Sequence, residues 1–180
     1  MILSFSTQLN EKPTYFINKI WSGLIDQNIA KNYVDFFNEV PEMQSVGYTA
    51  GLSFPPKLHT IREDKTERWK PGVMIDFFVN ARKINMCRFA PRIPVISVQE
   101  IFMSRRGSML EITIAKEGSY IGGEDFYVDA VTQGQLATND GFTEYDDFRN
   151  YFLSVIEANG KATGNYWFSG KIIHWTNLKY

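Results

Sequence analysis

The sequence contains a single cysteine, Cys87, which excludes an intramolecular disulfide and a multi-cysteine metal site. It also lacks any window close to the ~20 consecutive apolar residues that a membrane helix needs. Its first ten residues show no basic segment followed by an apolar run, so we expect no secretory signal. These absences predict a protein of the reducing cytoplasm with no membrane partner. Cys87 itself is more typical of a buried core residue than of a reactive thiol.

Histidine is scarce and the common cofactor motifs are missing. The chain has two histidines, His59 and His174, and they are too far apart in sequence to form a short metal-binding motif such as HExxH. GxGxxG and GxxxxGK[ST] are absent, which argues against a Rossmann or P-loop nucleotide site. A GxSxG motif is absent too, so nothing indicates an esterase triad. We therefore expect neither a metal nor a cofactor.

The composition is that of an ordinary globular domain. With 180 residues, 44% of them hydrophobic and 22% charged, the chain is long enough for one domain with a large core. A net charge of -1 argues against a protein that coats nucleic acid non-specifically, although it leaves room for a local basic groove. The oligomeric state is not indicated by any of these features.

Hydrophobic periodicity predicts a mixture of strands and helices. Alternating apolar residues indicate strands, whereas apolar residues at helical spacing indicate helices. The expected strands lie at 2–6, 58–62, 73–79, 95–101, 109–114, 126–128 and 167–178, and the expected helices at 17–25, 29–40 and 145–156. Residues 131–139 are ambiguous between helix and loop. This pattern predicts a single α+β domain over 1–180, a small curled sheet or barrel of about five to seven strands with about three flanking helices. The region 13–56 would be a helical addition.

The segment 57–72 concentrates positive charge in a nearly neutral protein. Desolvation or a nearby cation can turn a lysine into a base or nucleophile, which makes Lys57 a candidate catalytic residue. Thr60 supplies a hydroxyl that could orient a substrate or a water. In a regular strand, positions 57 and 60 face opposite sides, so Lys57 must lie before the strand or at a bend. The alternative for each cation of the segment is an ordinary solvated surface residue.

A second function for this segment is ligand binding. The guanidinium groups of Arg62 and Arg68 suit phosphate, and the indole of Trp69 suits a nucleobase. The other interpretation of Trp69 is a core residue beneath the turn at 70–72, and both interpretations are open at this point.

Several of these residues, in this order, resemble the ASCH (activating signal cointegrator homology) domain of the PUA-like superfamily. The matching residues are Lys57, 59–62, 68–70, Gly72, 139–142 and the closing 168–180. The resemblance implies a curled β-barrel with helices beside a cleft. It also implies recognition of RNA or of a modified nucleoside.

One bacterial branch of that family is similar to an amidohydrolase that acts on acetylated cytidine with a lysine, a threonine and a glutamate. The resemblance places the lysine at Lys57, as base or nucleophile, and the threonine at Thr60. The third position falls on Asp140 as a proton shuttle, one methylene shorter than glutamate. Glu144 is the nearest glutamate and is the weaker candidate.

These observations leave three classes of function open. The first is a module that binds RNA or a modified nucleotide through Lys57, Arg62, Arg68 and Trp69. The second is a hydrolase, either the amidohydrolase or a ribonuclease that uses His59 with Lys57 as its acid/base pair. The third is a protein-interaction domain that uses its aromatic helices. The enzyme hypothesis requires that Lys57, Thr60, Arg62 and a carboxylate from Asp140 or Glu144 line one concave pocket.

Overall fold

The computed structural model of the chain describes residues 1–9, 11–40, 49 and 53–180. Its helices are α1 (Phe16–Asp26), α2 (Val34–Glu39), α3 (Ala130–Asn139) and α4 (Tyr145–Thr163). Its strands are β1 (Ile2–Phe5), β2 (Gln8–Leu9), β3 (Lys12–Pro13), β4 (His59–Arg62), β5 (Met74–Val79), β6 (Cys87–Arg88), β7 (Ile93–Pro94), β8 (Ser97–Arg106), β9 (Met109–Ala115), β10 (Asp125–Tyr127) and β11 (Trp167–His174). The predicted α+β class is confirmed.

The larger sheet is antiparallel and has the strand order β10-β9-β8-β11-β4. Strands β8 and β9 form a hairpin, and the long strand β11 pairs β8 on one side and β4 on the other. Alternate residues of β8 are buried, including Ile101 and Met103, and they belong to a hydrophobic cluster with Phe148, Phe152 and Ile156 of α4. Helix α4 therefore covers the apolar face of this sheet.

A smaller, mixed sheet is centred on β5, which pairs β1 in parallel and both β6 and β7 antiparallel. Its buried residues Phe77 and Val79 belong to a second cluster with Ile20, Trp21 and Leu24 of α1. Among the described residues no closed barrel is found, so the barrel expected from the resemblance is not confirmed.

The chain enters β4 between α1 and the end of α3. The backbone N–H of Lys57 donates to the carbonyl of Lys19 in α1 at 2.9 Å, and the N–H of Leu58 donates to the carbonyl of Asn139 at 2.8 Å. Gly23 allows this close approach, because a Cβ atom there would lie 2.7 Å from the carbonyl oxygen of Lys57. These contacts fix the position of Lys57 just before β4.

Several local predictions need correction. The helix expected over 29–40 begins only at Val34, because the N–H groups of Ile29 and Ala30 donate to the carbonyl of Leu24 and so close the end of α1 instead. The ambiguous 131–139 forms α3, where the side chain of Asp129 caps the helix by accepting from the N–H of Thr132. The last strand ends at His174, before 178. Part of the proposed helical addition, 41–48 and 50–52, lies outside the described residues.

Within the described ranges, no helix combines the length and the apolar character that a membrane crossing requires.

Candidate functional site

Lys57 is a buried lysine held by Asp140, the residue that directly follows α3. Its side chain is 1% exposed, and Nζ donates to Oδ1 of Asp140 at 2.6 Å and also to the backbone carbonyl of Asp140. The ammonium group lies 4.8 Å from the ring centroid of Phe16 and 5.8 Å from that of Phe5, within reach of a cation–π interaction. Lys57 thus lies between the apolar cluster of the smaller sheet and a buried carboxylate.

Asp140 is positioned by the C-terminal end of α3 and by β4. Its Oδ1 accepts a second hydrogen bond from the backbone N–H of Ile61 at 3.2 Å. Gly141 follows with φ +89°, and a Cβ atom at this position would lie 2.9 Å from the ring of Phe16 and 3.0 Å from Cδ of Lys57. The Asp-Gly pair therefore turns the chain tightly around the lysine, and only glycine fits there.

A second buried lysine, Lys19 of α1, holds the same turn from the other side. Its Nζ donates to the carbonyl of Gly141 at 2.7 Å and to Oγ1 of Thr143 at 3.3 Å. Burial lowers the pKa of Lys19, and the positive charge of Lys19 in turn helps to lower the pKa of Lys57. The turn after α3 is thus fixed by two lysines at once.

Burial changes the acid–base properties of Lys57 and Asp140. Desolvation lowers the pKa of Lys57 from 10.5 to about 8, although the carboxylate of Asp140 opposes the shift. Desolvation likewise raises the pKa of Asp140, opposed by the charge of Lys57. A lysine with a pKa near 8 has an appreciable neutral fraction near neutral pH, so it can accept a proton from a substrate or a water.

The pair opens on a small cavity of about 100 Å³. The residues around this cavity include Lys57, Thr60, Arg62 and Asp140, together with the rings of Phe16 and Tyr151. The four polar residues required by the enzyme hypothesis therefore meet in one cavity. The conflict between positions 57 and 60 does not arise, because β4 begins at His59 and Lys57 precedes it.

Two larger cavities adjoin this one. One, of about 210 Å³, shares Phe16, Phe142 and Tyr151 with it and is also lined by Lys19. The other, of about 300 Å³, shares Arg62 and Tyr151 with it and is also lined by Lys65, Trp167 and Asn159 among others. Tyr151 lines all three, so the three cavities lie next to one another around its ring.

A further cavity of about 440 Å³ lies beyond Phe16. The described residues that line it are uncharged, with Thr7, Gln8, Asn80 and Asn85 among them. It offers volume without a carboxylate, lysine, arginine or histidine side chain among these residues, so the smaller cavity is the better candidate site.

Arg68 and Trp69, which the sequence predicted to bind a ligand together with Arg62, do not line the small cavity of about 100 Å³. Trp69 is 5% exposed and belongs to the core, which decides between its two interpretations in favour of core packing. The side chain of Arg68 is 65% exposed and lies near Asp64. Arg62 is the predicted ligand-binding residue that does line the cavity.

Two weaker catalytic candidates also lie elsewhere. Glu144 is exposed at the start of α4 and is not among the described residues that line the cavity. His59 is adjacent to Thr60 on β4 and so faces the other side of the strand, where it is fully buried against His174 and Tyr180. Burial lowers the pKa of His59 well below 6.5. His59 therefore cannot act with Lys57 on a phosphate in the cavity, and the ribonuclease hypothesis loses its acid/base pair.

The sequence did not indicate three residues of the site. Lys19 lies in a predicted amphipathic helix, where a lysine is expected on the solvated face. Phe16 and Tyr151 belong to aromatic patterns that a core explains equally well. Only the spatial proximity of α1, α4 and the turn after α3 identifies them.

No group of three or more histidine, cysteine, aspartate or glutamate side chains in the described part of the chain could hold a metal ion. Scans against protein-family models, curated proteins and solved structures found no match to this chain. The resemblance to the ASCH domain therefore stays a hypothesis that depends on the residues themselves.

Proposed function

We propose that this protein is a hydrolase that cleaves the amide bond of an acylated nucleoside such as acetylated cytidine. The observation that carries the proposal is the ion pair of buried Lys57 and Asp140 at a cavity that Thr60 and Arg62 also line. A strongly perturbed pKa at the wall of a cleft is a physical reason to assign function. The three residues that the ASCH resemblance names as catalytic are the ones that meet here.

The chemistry follows from the two protonation states of Lys57. In its neutral form the amine accepts a proton from a water, whose oxygen attacks the acyl carbon, while the Thr60 hydroxyl orients the reacting group. The resulting ammonium returns the proton to the leaving nitrogen as the carbon–nitrogen bond breaks. The products are a carboxylic acid and the free amine of the base. Asp140 stabilises the ammonium form between these steps.

The volumes favour a substrate that extends beyond the reacting group. Ligand pockets usually measure about 300–1,000 Å³, so a cavity of about 100 Å³ suits the acyl amide alone. The nucleobase and sugar would occupy an adjoining cavity, where Tyr151 and Phe142 offer ring faces for stacking. Arg62 and Lys65 in the other cavity suit a phosphate.

Our proposal also includes the fold, the location and the partner that the ASCH resemblance implies. We expect the two sheets to correspond to the curled barrel of the PUA-like superfamily. We also expect a cytoplasmic protein whose partner is RNA or a modified nucleoside.

Recognition of RNA without chemistry is the second candidate. Arg62 supports it, since this cation lines both the small cavity and the adjoining one with Lys65. Contacts of such cations with the RNA phosphates would give an affinity that falls as the salt concentration rises.

The deciding experiment measures release of cytidine and acetate from acetylated cytidine. The wild type should release both in equal amounts, and Lys57→Met should lower the rate at least about 100-fold, as expected for loss of a general base. Arg68→Ala is the matched control and should retain the wild-type rate. Undiminished release by Lys57→Met would overturn the assignment of Lys57. No release by the wild type, together with salt-sensitive binding of labelled RNA, would favour the second candidate.

A further inference from the structure

A chain of one buried and two half-buried polar side chains reaches Asp140 from the face of the sheet opposite Thr60. The hydroxyl of Tyr180 lies 2.9 Å from Nδ2 of Asn139 and 2.9 Å from Nε2 of His59. Asn139 directly precedes Asp140, and His59 lies one residue before Thr60. Both ends of the chain therefore join the backbone segments that carry the proposed catalytic residues.

The hydrogen bonds along this chain suit one tautomer of His59, with the proton on Nδ1. Nδ2 of Asn139 donates to the Tyr180 hydroxyl, which leaves the hydroxyl proton free to donate to Nε2 of His59. A neutral imidazole whose Nε2 accepts carries its proton on Nδ1. Nδ1 of His59 is buried without a hydrogen-bond partner among the described residues, and it lies 3.9 Å from Oδ1 of Asp140.

Tyr180 is itself held in place through its backbone. The buried side-chain amide of Gln99 donates to the carbonyl of Tyr180 at 2.8 Å and accepts from its N–H at 2.9 Å. This two-point contact depends on the backbone and not on the phenol. Removing the hydroxyl should therefore leave the segment in position.

We propose that His59 and Tyr180 are positioning residues for the Lys57–Asp140 pair. Tyr180 holds His59 as the Nδ1–H tautomer, and the positive end of this N–H bond faces the carboxylate oxygen that accepts from Lys57. The contact is too long for a hydrogen bond, so it acts through the dipole of the imidazole. It favours the charged form of Asp140 and keeps Oδ1 directed at Lys57. The kinetic part of this inference depends on the proposed hydrolase function, whereas the structural part does not.

The test reads the tautomer directly by imidazole 15N NMR, which is simple for a chain with two histidines. The wild type should show His59 with its proton on Nδ1. Tyr180→Phe should give a mixture of tautomers, and Asp140→Asn should shift the Nδ1 resonance. Tyr127→Phe removes the hydroxyl of a tyrosine that is 79% exposed and should change neither resonance.

Hydrolysis of acetylated cytidine gives the second readout. Tyr180→Phe should lower kcat roughly tenfold with little change in KM, by analogy with the ~10–100-fold that outer hydrogen-bond partners contribute at metal centres. Any of three results would overturn the proposal. They are a wild-type His59 with its proton on Nε2, an Nδ1 resonance that does not shift in Asp140→Asn, and a kcat that is unchanged in Tyr180→Phe although the tautomer is altered. If no hydrolysis occurs at all, the proposed function fails, and the two NMR results still decide the structural part.

Discussion

The Nζ atom of Lys57 lies 2.6 Å from Oδ1 of Asp140, and both side chains are almost completely removed from solvent. Burying two opposite charges costs desolvation free energy, and the ion pair repays this cost only with good geometry and further hydrogen bonds. Here Oδ1 also accepts from Ile61, and Nζ also donates to the backbone carbonyl of Asp140. An apolar pair of similar volume would fill the same space without the cost of desolvation. Stability is therefore a weak reason for a buried ion pair here, and a function at the adjoining cavity is a stronger one.

The first prediction concerns the coupling of the two side chains. Lys57→Met leaves a buried carboxylate without its cation and should lower the free energy of unfolding by about 3–5 kcal/mol. Adding Asp140→Asn should recover most of this loss, because the amide oxygen still accepts from the N–H of Ile61. Chemical denaturation of the two single variants and the double variant measures the coupling. Additive losses would show that the two groups do not interact.

A second prediction follows from the pKa of Lys57. If the neutral amine is the base, kcat/KM should rise about tenfold per pH unit well below this pKa and level off above about pH 8. The charge of Arg62 helps to lower the pKa of Lys57, so Arg62→Ala should move the rising limb to higher pH. Arg68→Ala serves as the control that leaves it in place. A profile that is flat from pH 6 to 9 would contradict the role of Lys57.

The same pKa predicts how stability depends on pH. Between about pH 8 and pH 10.5 the unfolded chain keeps the proton on Lys57, whereas the folded chain releases it. The unfolded state then binds more protons, so the contribution of Lys57 to the free energy of unfolding rises with pH across this window. Denaturation of the wild type and Lys57→Met at several pH values isolates the contribution. A difference between them that falls as pH rises would mean that the pKa of Lys57 is not lowered.

Regular alternation and helical spacing made much of the fold predictable. The pattern of β5, with Ile75, Phe77 and Val79 buried, could be predicted from period two alone. The long helix α4 could be predicted from its aromatic stripe, since Phe148 and Phe152 repeat at helical spacing and both are buried.

Local sequence could not predict which residues of the charged segment 57–72 line the cavity and which pack in the core. Trp69 stands among charged residues, so core packing and ligand stacking were equally open interpretations of its indole. The carboxylate of Asp64 instead accepts from the N–H groups of Arg68 and Trp69 at 3.1 and 2.9 Å. This local turn directs the indole into the core. Lys19 was missed for a different reason, because its acceptor, the carbonyl of Gly141, lies 122 positions away in sequence.

The fourth prediction separates the two arginines of that segment. Arg62 lines the cavity and is held by the carbonyl of Ser4 at 2.8 Å, whereas Arg68 does not line it. Arg62→Ala should weaken binding of acetylated cytidine or of a short RNA roughly tenfold or more, as expected for loss of a charged hydrogen-bond donor. Arg68→Ala should leave binding unchanged. Fluorescence titration at low salt measures both, and equal losses would mean that the binding surface extends to Arg68.

The last prediction concerns Gly141, which shapes the turn around Lys57. Gly141 and Gly164 have nearly the same left-handed φ, +89° and +83°. An alanine at either position therefore carries a similar backbone strain of about 1–2 kcal/mol. A Cβ atom at Gly164 meets nothing within 4 Å, whereas one at Gly141 would press on Phe16 and on Cδ of Lys57.

Gly141→Ala should therefore lower the free energy of unfolding by more than Gly164→Ala and should also displace Lys57 from Asp140. We expect the hydrolysis rate to fall in Gly141→Ala and to stay near the wild-type value in Gly164→Ala. Thermal denaturation and the acetate-release assay on both variants check this pair of outcomes. Equal losses of stability with retained hydrolysis in both would show that the turn tolerates a side chain, and that the close packing of Gly141 against Lys57 is not needed for the reaction.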